Sequence, residues 1–155
     1  MAADLDALMI LALVEARAAL AHDDVPIGAV VARLDTGEVL ASRHNERELG
    51  HDPTAHAEIL ALRDAARAHG SWRLEGCVLV ATIEPCPMCA GAAVAARVPI
   101  VVFGAVDPKA GALGSLYHLG ADPRLNHELQ VRDGVRAEEA AALLREFFAS
   151  RRPLQ

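Results

Sequence analysis

Two short segments constrain this chain more than anything else in it: His56-Ala57-Glu58 and, thirty residues after the histidine, Cys86-Pro87-Met88-Cys89. The cysteines stand i to i+3 at the start of an expected helix, which puts both thiols on one face. A helix N-terminus also favours thiolate over thiol, and thiolate is the form that binds a metal. His56 falls in what the pattern predicts as the first turn of another helix. One histidine and two cysteines make three ligands. A structural zinc site normally has four, whereas a catalytic site leaves the fourth position to water. The count therefore points to catalysis, since bound zinc lowers the pKa of its water from about 16 to about 7. Glu58 is then the expected proton carrier. Two residues on a helix are turned by about 200°, so Glu58 is expected to face a substrate rather than the metal.

The rest of the pattern alternates helices and strands. Leu5, Leu8, Met9, Ala12, Leu13 and Leu20 recur at helical spacing between Asp4 and Ala21. The apolar runs Ile27 to Arg33 and Val39 to Arg43 flank Asp35-Thr36-Gly37 and predict a hairpin. Asp52 suits an N-cap and Pro53 a first helical position, so a helix is expected from there to His69, ended by Gly70. A strand is expected over Cys77 to Thr82, with Cys77 buried. A helix over Cys86 to Ala96 and a buried strand over Ile100 to Gly104 follow. After a long Gly-rich loop from Ala105 to about Asn126 come a short strand over Glu128 to Arg132 and a helix over Ala137 to Ser150, with Ala140, Leu143, Leu144 and Phe147 as its apolar face. This order predicts an α/β fold with helices on both faces of the sheet.

Composition sets the bounds. The 155 residues are 53% hydrophobic and 23% charged, the make-up of one globular domain over residues 1–155. The apolar run Ala7 to Val14 is far short of the ~20 residues of a membrane span, and no signal-peptide pattern flanks it. A cytoplasmic protein without membrane contact is expected. Three cysteines argue against a disulfide framework. A net charge of −6 counts mildly against a non-specific nucleic-acid binder with a broad basic surface, though not against a local cationic patch. A thioredoxin-like redox role for the cysteine pair would leave His56 and Glu58 idle.

The combination H-x-E and P-C-x-x-C is the signature of zinc nucleobase deaminases. The stretches His51 to Glu58, Glu84 to Ala92, Val102 to Ala105 and Asp107 to Ser115 resemble the bacterial tRNA adenosine deaminases, and the similarity runs from about Val25 to Arg152. The resemblance implies a three-layer α/β/α sandwich with a mixed sheet of about five strands, of the cytidine deaminase type. It implies one Zn2+ per chain held by His56, Cys86 and Cys89, with Glu58 moving protons to the ring nitrogen and the leaving amine. It implies that Asn45, helped by the Ala57 amide, reads a flipped adenine, and that Asp107 sits beside a neighbouring ribose. Lys109, Arg151 and Arg152 become candidates for phosphate contact. The expected reaction is adenosine to inosine at the wobble position of a tRNA anticodon loop, the arginine tRNA with anticodon ACG in particular.

Two alternatives stand beside it: a free-base or nucleoside deaminase acting on guanine or cytosine, and a non-catalytic zinc module in an RNA-binding assembly. Glu58 argues against the second, because a structural site has no use for it. The small residues of Met88 to Ala96 leave room for a close-packed partner, and a homodimer is expected. His44, His51, His69, His118 and His127 have no motif around them and are expected as surface or loop residues.

Overall fold

The computed structural model of the protein describes residues 2–151. Strands β1 (Gly28–Arg33) and β2 (Val39–His44) form the expected antiparallel hairpin. β3 (Cys77–Ile83) lies antiparallel to β1, β4 (Ile100–Ala105) parallel to β3, and β5 (Gln130–Arg132) parallel to β4. The resulting five-stranded mixed sheet has the order β2-β1-β3-β4-β5. Parallel neighbours need a crossover, and helix α4 (Pro87–Ala95) lies in the connection between β3 and β4.

Alternation along the strands sorts the core into two layers. Ala29, Val31, Leu79, Val101 and Phe103 pack with Ala61, Leu62 and Ala65 of helix α3 (Ala57–His69) and with Ala90 and Ala93 of α4. Val30, Ala32, Val78, Val80 and Val102 pack with Leu8, Met9, Ala12 and Leu13 of helix α1 (Leu5–Ala18) and with Ala140 of helix α5 (Ala137–Ala149). This is the three-layer sandwich. Gly28 sets the spacing of one layer, since a Cβ there would lie 1.9 Å from the Ala12 carbonyl oxygen. No helix among the described residues is long and apolar enough to cross a membrane.

Several local expectations are corrected. The helix expected from Asp52-Pro53 begins at Ala57. Asp52 accepts the Thr54 amide and hydroxyl at 2.8 and 2.7 Å, so its short polar side chain closes a turn instead of capping a helix. α1 ends at Ala18 and tightens into a 3-10 turn over Ala19–His22. A four-residue helix, α2 (Arg47–Gly50), has no sequence signal because its cap comes from far away. The buried carboxylate of Asp24 accepts the Glu48 and Leu49 amides at 2.9 and 3.2 Å. His44 is half-buried in β2 rather than on a loop, with Nδ1 2.6 Å from Glu15 and Nε2 3.1 Å from His22 Nε2.

Candidate active site

His56 is the N-cap of α3, with φ −72° and ψ 148°, and Cys86 is the N-cap of α4. Both caps are extended, and their side chains meet ahead of the first helical turns. Nδ1 of His56 lies 3.6 Å from Cys86 Sγ and 3.5 Å from Cys89 Sγ. All three ligand atoms fall within 4.8 Å of one another, and they are the one such group of three or more among the described residues. Tetrahedral zinc with Zn–S of about 2.3 Å and Zn–N of about 2.0 Å separates sulfur from nitrogen by roughly 3.5 Å. The donor set therefore fits zinc in both chemistry and spacing.

Glu58 lies beside this group and is not one of its three members. Its carboxyl group is buried and meets the Cys89 thiol, so it shares the pocket with the ligands. Because His56 is an extended N-cap, the helical turn of 100° per residue does not separate the two side chains. Burial raises the Glu58 pKa above the ordinary carboxylate range, an effect that the nearby His56 charge only partly offsets. Such a carboxyl group can hold a proton as well as release one. The thiols split. The hydrogen bond from Cys89, helped by His56, brings Cys86 down to about 4 against burial. The same Cys86 contact, together with burial and Glu58, pushes Cys89 up. The Cys86 hydrogen bond raises His56, against burial.

Asn45 follows β2 directly and is buried. Its Oδ1 accepts the Ala57 amide at 2.9 Å and its Nδ2 donates to the Val25 carbonyl at 3.1 Å. Each of the two atoms keeps capacity for one further hydrogen bond. The Ala57 amide is spent on Asn45, so it reaches a ligand only through that side chain.

Asp107 follows β4 and accepts the Lys109 and Ala110 amides on Oδ1 at 3.1 and 3.2 Å. Its Oδ2 has no hydrogen bond among the described residues, and Lys109 is exposed. Both line a groove of about 890 Å³ with Val25, Ile83, Val106 and Phe148. None of His56, Glu58, Cys86 and Cys89 lines it; Ile83, which does, precedes Cys86 by three residues. Arg151 donates to Asp23 and stacks 3.6 Å over the Phe147 ring, so the structure directs it to the end of α5. Arg152 lies outside the described residues.

Glu84 has no place in the sequence-based site, yet it is buried between Ile83 and Pro85 with its carboxylate saturated by hydrogen bonds. The available signal was a charged residue closing the apolar run of β3, which by itself reads as a strand end.

The comparisons agree with this architecture. A model of the MafB19-like deaminases matches residues 3–152. A tRNA-specific adenosine deaminase of Bacillus subtilis (strain 168) is 49% identical over 137 residues, which cover 88% of this chain and 84% of that protein. A structure solved in a study of A-to-I editing by tRNA:A34 deaminases at the wobble position of transfer RNA superposes with a TM-score of 0.84 at 43% identity, covering 89% of this chain and 99% of that one. The guanine deaminase of Nitrosomonas europaea superposes with a TM-score of 0.80 at 33% identity, covering 95% and 86%.

Proposed function

The chain belongs to the deaminase family of the tRNA-specific adenosine deaminases, and on that premise we propose that it converts adenosine to inosine at the wobble position of a tRNA anticodon, in the arginine tRNA with anticodon ACG. The observation that carries the reaction is the His56–Cys86–Cys89 cluster with the buried carboxyl group of Glu58 beside it. Zinc bound there, one ion per chain, supplies a water acidic enough to act as a nucleophile near neutral pH.

With zinc held by His56, Cys86 and Cys89, Glu58 would take one proton from the attacking water and place it on the ring nitrogen, where the product keeps it, and would then pass the remaining hydroxyl proton to the departing amine, which leaves as ammonia. The burial that raises its pKa suits a group that must take up a proton as well as release one. Asn45 offers one acceptor and one donor, the pair an adenine edge asks for. The Ala57 amide and the Val25 carbonyl fix the plane of that side chain, so the reading group is set before substrate arrives.

The groove lined by Asp107 and Lys109 supports RNA over a free base. About 890 Å³ lies in the range of drug-sized ligand sites, roughly 300–1,000 Å³, well beyond one nucleobase. Asp107 Oδ2 is open to a ribose hydroxyl, Phe148 offers an exposed ring for stacking, and Lys109 meets a phosphate. Arg151 joins that rim only by giving up Asp23, so Lys109 is the primary cation, with Arg152 as a further candidate. The base must leave its stack to reach the metal, and an unpaired anticodon loop lowers that cost.

The active unit is a homodimer in the cytoplasm, each subunit a single deaminase domain over residues 1–155. A shallow apolar groove of about 320 Å³ between α3 and α4 supports the dimer; Ile59, Leu62, Trp72, Ala92, Ala95 and Ala96 line it. Its small alanines permit a close approach of a second copy.

The guanine deaminase reading is favoured by one observation, the superposition on the Nitrosomonas europaea enzyme. One assay separates the two. Zinc-loaded protein is incubated with the arginine tRNA transcript, with the same transcript carrying guanosine at the wobble position, and with free guanine, cytosine and cytidine. Inosine in the first transcript alone is expected. Rapid ammonia release from guanine with no inosine overturns the tRNA reading.

A further inference from the structure

Glu84 follows β3 and precedes Cys86 by two residues. Its backbone amide donates to the Ala105 carbonyl at 2.8 Å and so continues the ladder between β3 and β4. Its side chain turns the other way, into the loop that leaves β4, and is 2% exposed. Oε1 accepts the Asp107 amide at 3.0 Å and the Ser115 hydroxyl. Oε2 accepts the Leu113 amide at 3.1 Å and the Ser115 amide at 3.0 Å. A carboxylate has about four acceptor sites, and all of them are taken by one loop. Glu84 therefore has nothing left for a metal, a water or a substrate.

The loop is built around that carboxylate. A Cβ at Gly111 would fall 2.2 Å from the Glu84 carboxyl carbon, so only glycine lets the backbone pass there. The Ala112 amide donates to the Pro85 carbonyl at 2.9 Å, and the Gly111 amide to the Asp107 carbonyl at 2.8 Å. Residues 107–115 thus close over residues 84 and 85, and the amide at the start of the loop belongs to Asp107 itself.

We propose that Glu84 is the positioning residue for RNA recognition: it registers the loop carrying Asp107 and Lys109 against the strand end that carries Cys86. This rests on the tRNA reading. Asp107 leaves β4 at one end of the loop, and without the carboxylate its four donors lose their common acceptor. Asp107 and Lys109 then move relative to Cys86, while His56, Glu58, Cys86 and Cys89 keep their own supports. The effect falls on substrate binding rather than on the chemical step.

Glu84→Gln is the informative variant, because it keeps shape but turns an acceptor into a donor that faces amide N–H groups. Zinc content of one per chain is expected to persist. KM for an anticodon stem-loop should rise about tenfold or more, with kcat within about twofold, in line with lost hydrogen bonds to a charged group. Asp107→Ala should cost much less in the Glu84→Gln background than in the wild-type chain, since the same placement has already been lost. Ser115→Ala, which removes one donor and leaves three, should give a smaller effect in the same direction. Hydrogen exchange at the amides of Asp107, Leu113 and Ser115 should quicken in Glu84→Gln. Additive losses in the Asp107 cycle, or a fall in kcat at unchanged KM, overturn the proposal. So does unchanged exchange in a protein whose wild-type form edits RNA. Absence of inosine from the wild-type protein instead refutes the tRNA reading, and with it the role assigned to the loop.

Discussion

Oδ1 of Asn45 accepts the amide of Ala57 at 2.9 Å, so the helix that follows His56 is capped from a strand end twelve residues upstream. The His56 side chain makes no capping bond of its own, which leaves its ring free to turn toward the cysteines.

Replacing Asn45 by Ala removes this cap and the tether to Val25. A lost cap costs about 1 kcal/mol and a lost neutral hydrogen bond about 1 kcal/mol. The expected drop of about 2 kcal/mol shifts Tm by several degrees in a chain of this size. Calorimetry with parallel zinc analysis checks it; an unchanged Tm would show that the cap is replaced by water.

Glu58→Gln keeps the shape of the side chain and takes away its proton. Zinc is expected to stay at one per chain while the rate falls at least about a hundredfold. Elemental analysis and single-turnover assays on the same preparation measure both. A near-normal rate in the zinc-loaded variant would remove Glu58 from the chemistry.

The metal-free protein should reveal the asymmetry of its thiols. Cys86, held near a pKa of about 4 by Cys89 and His56, is thiolate at pH 6. Burial raises Cys77, and Cys86 raises Cys89, so both remain thiols there. Iodoacetamide at pH 6, read by peptide mass spectrometry, is expected to label Cys86 first, and zinc should protect it. Cys86→Ser and Cys89→Ser should each lose the metal, because a hydroxyl is a poor substitute for thiolate. Equal labelling of all three cysteines would contradict the assignment.

Acid should release Asp24. Burial alone would raise its pKa, but the Glu48 and Leu49 amides and His22 outweigh burial and hold it below 3.8. A depressed acid pKa adds stability above its unfolded value, and that share is lost as pH falls through the folded value. Asp24→Asn is therefore expected to lower stability at pH 7 by about 1–3 kcal/mol, with the gap to wild type closing below pH 3.8. Urea titrations at pH 7 and pH 3 give the comparison. A gap that widens in acid would reverse the sign of the argument.

The homodimer is tested on α4. Ala92→Glu places a charge in the groove that Trp72 and Ala96 help to line. Light scattering should find twice the chain mass for the wild-type protein and a single chain for the variant. A wild-type monomer at micromolar concentration would end the dimer reading.

The strands and the grouping of His56 with Cys86 and Cys89 were legible because their signals are short patterns. Val30 and Val31 point to opposite faces simply because they are neighbours on a strand. Cys86 and Cys89 share a helix face by their spacing alone. Caps supplied from a distance were not legible: Asp24 holds amides 24 and 25 residues away, and no window of sequence contains both partners. Asp52 misled for the same reason in reverse, since its local turn with Thr54 uses the residue types that a helix start uses. Glu84 stayed hidden because its partners, Asp107 to Ser115, meet it only once β4 is in place.

The two apolar clusters on either side of the sheet share no residue. The body of α1 therefore packs on the opposite face of the sheet from α3 and α4. Ile10, Leu11 and Val14 lie exposed on α1. Solubilising charges, a fluorescent label or an attachment to a solid support belong on that stripe, which holds none of the residues assigned to zinc or substrate.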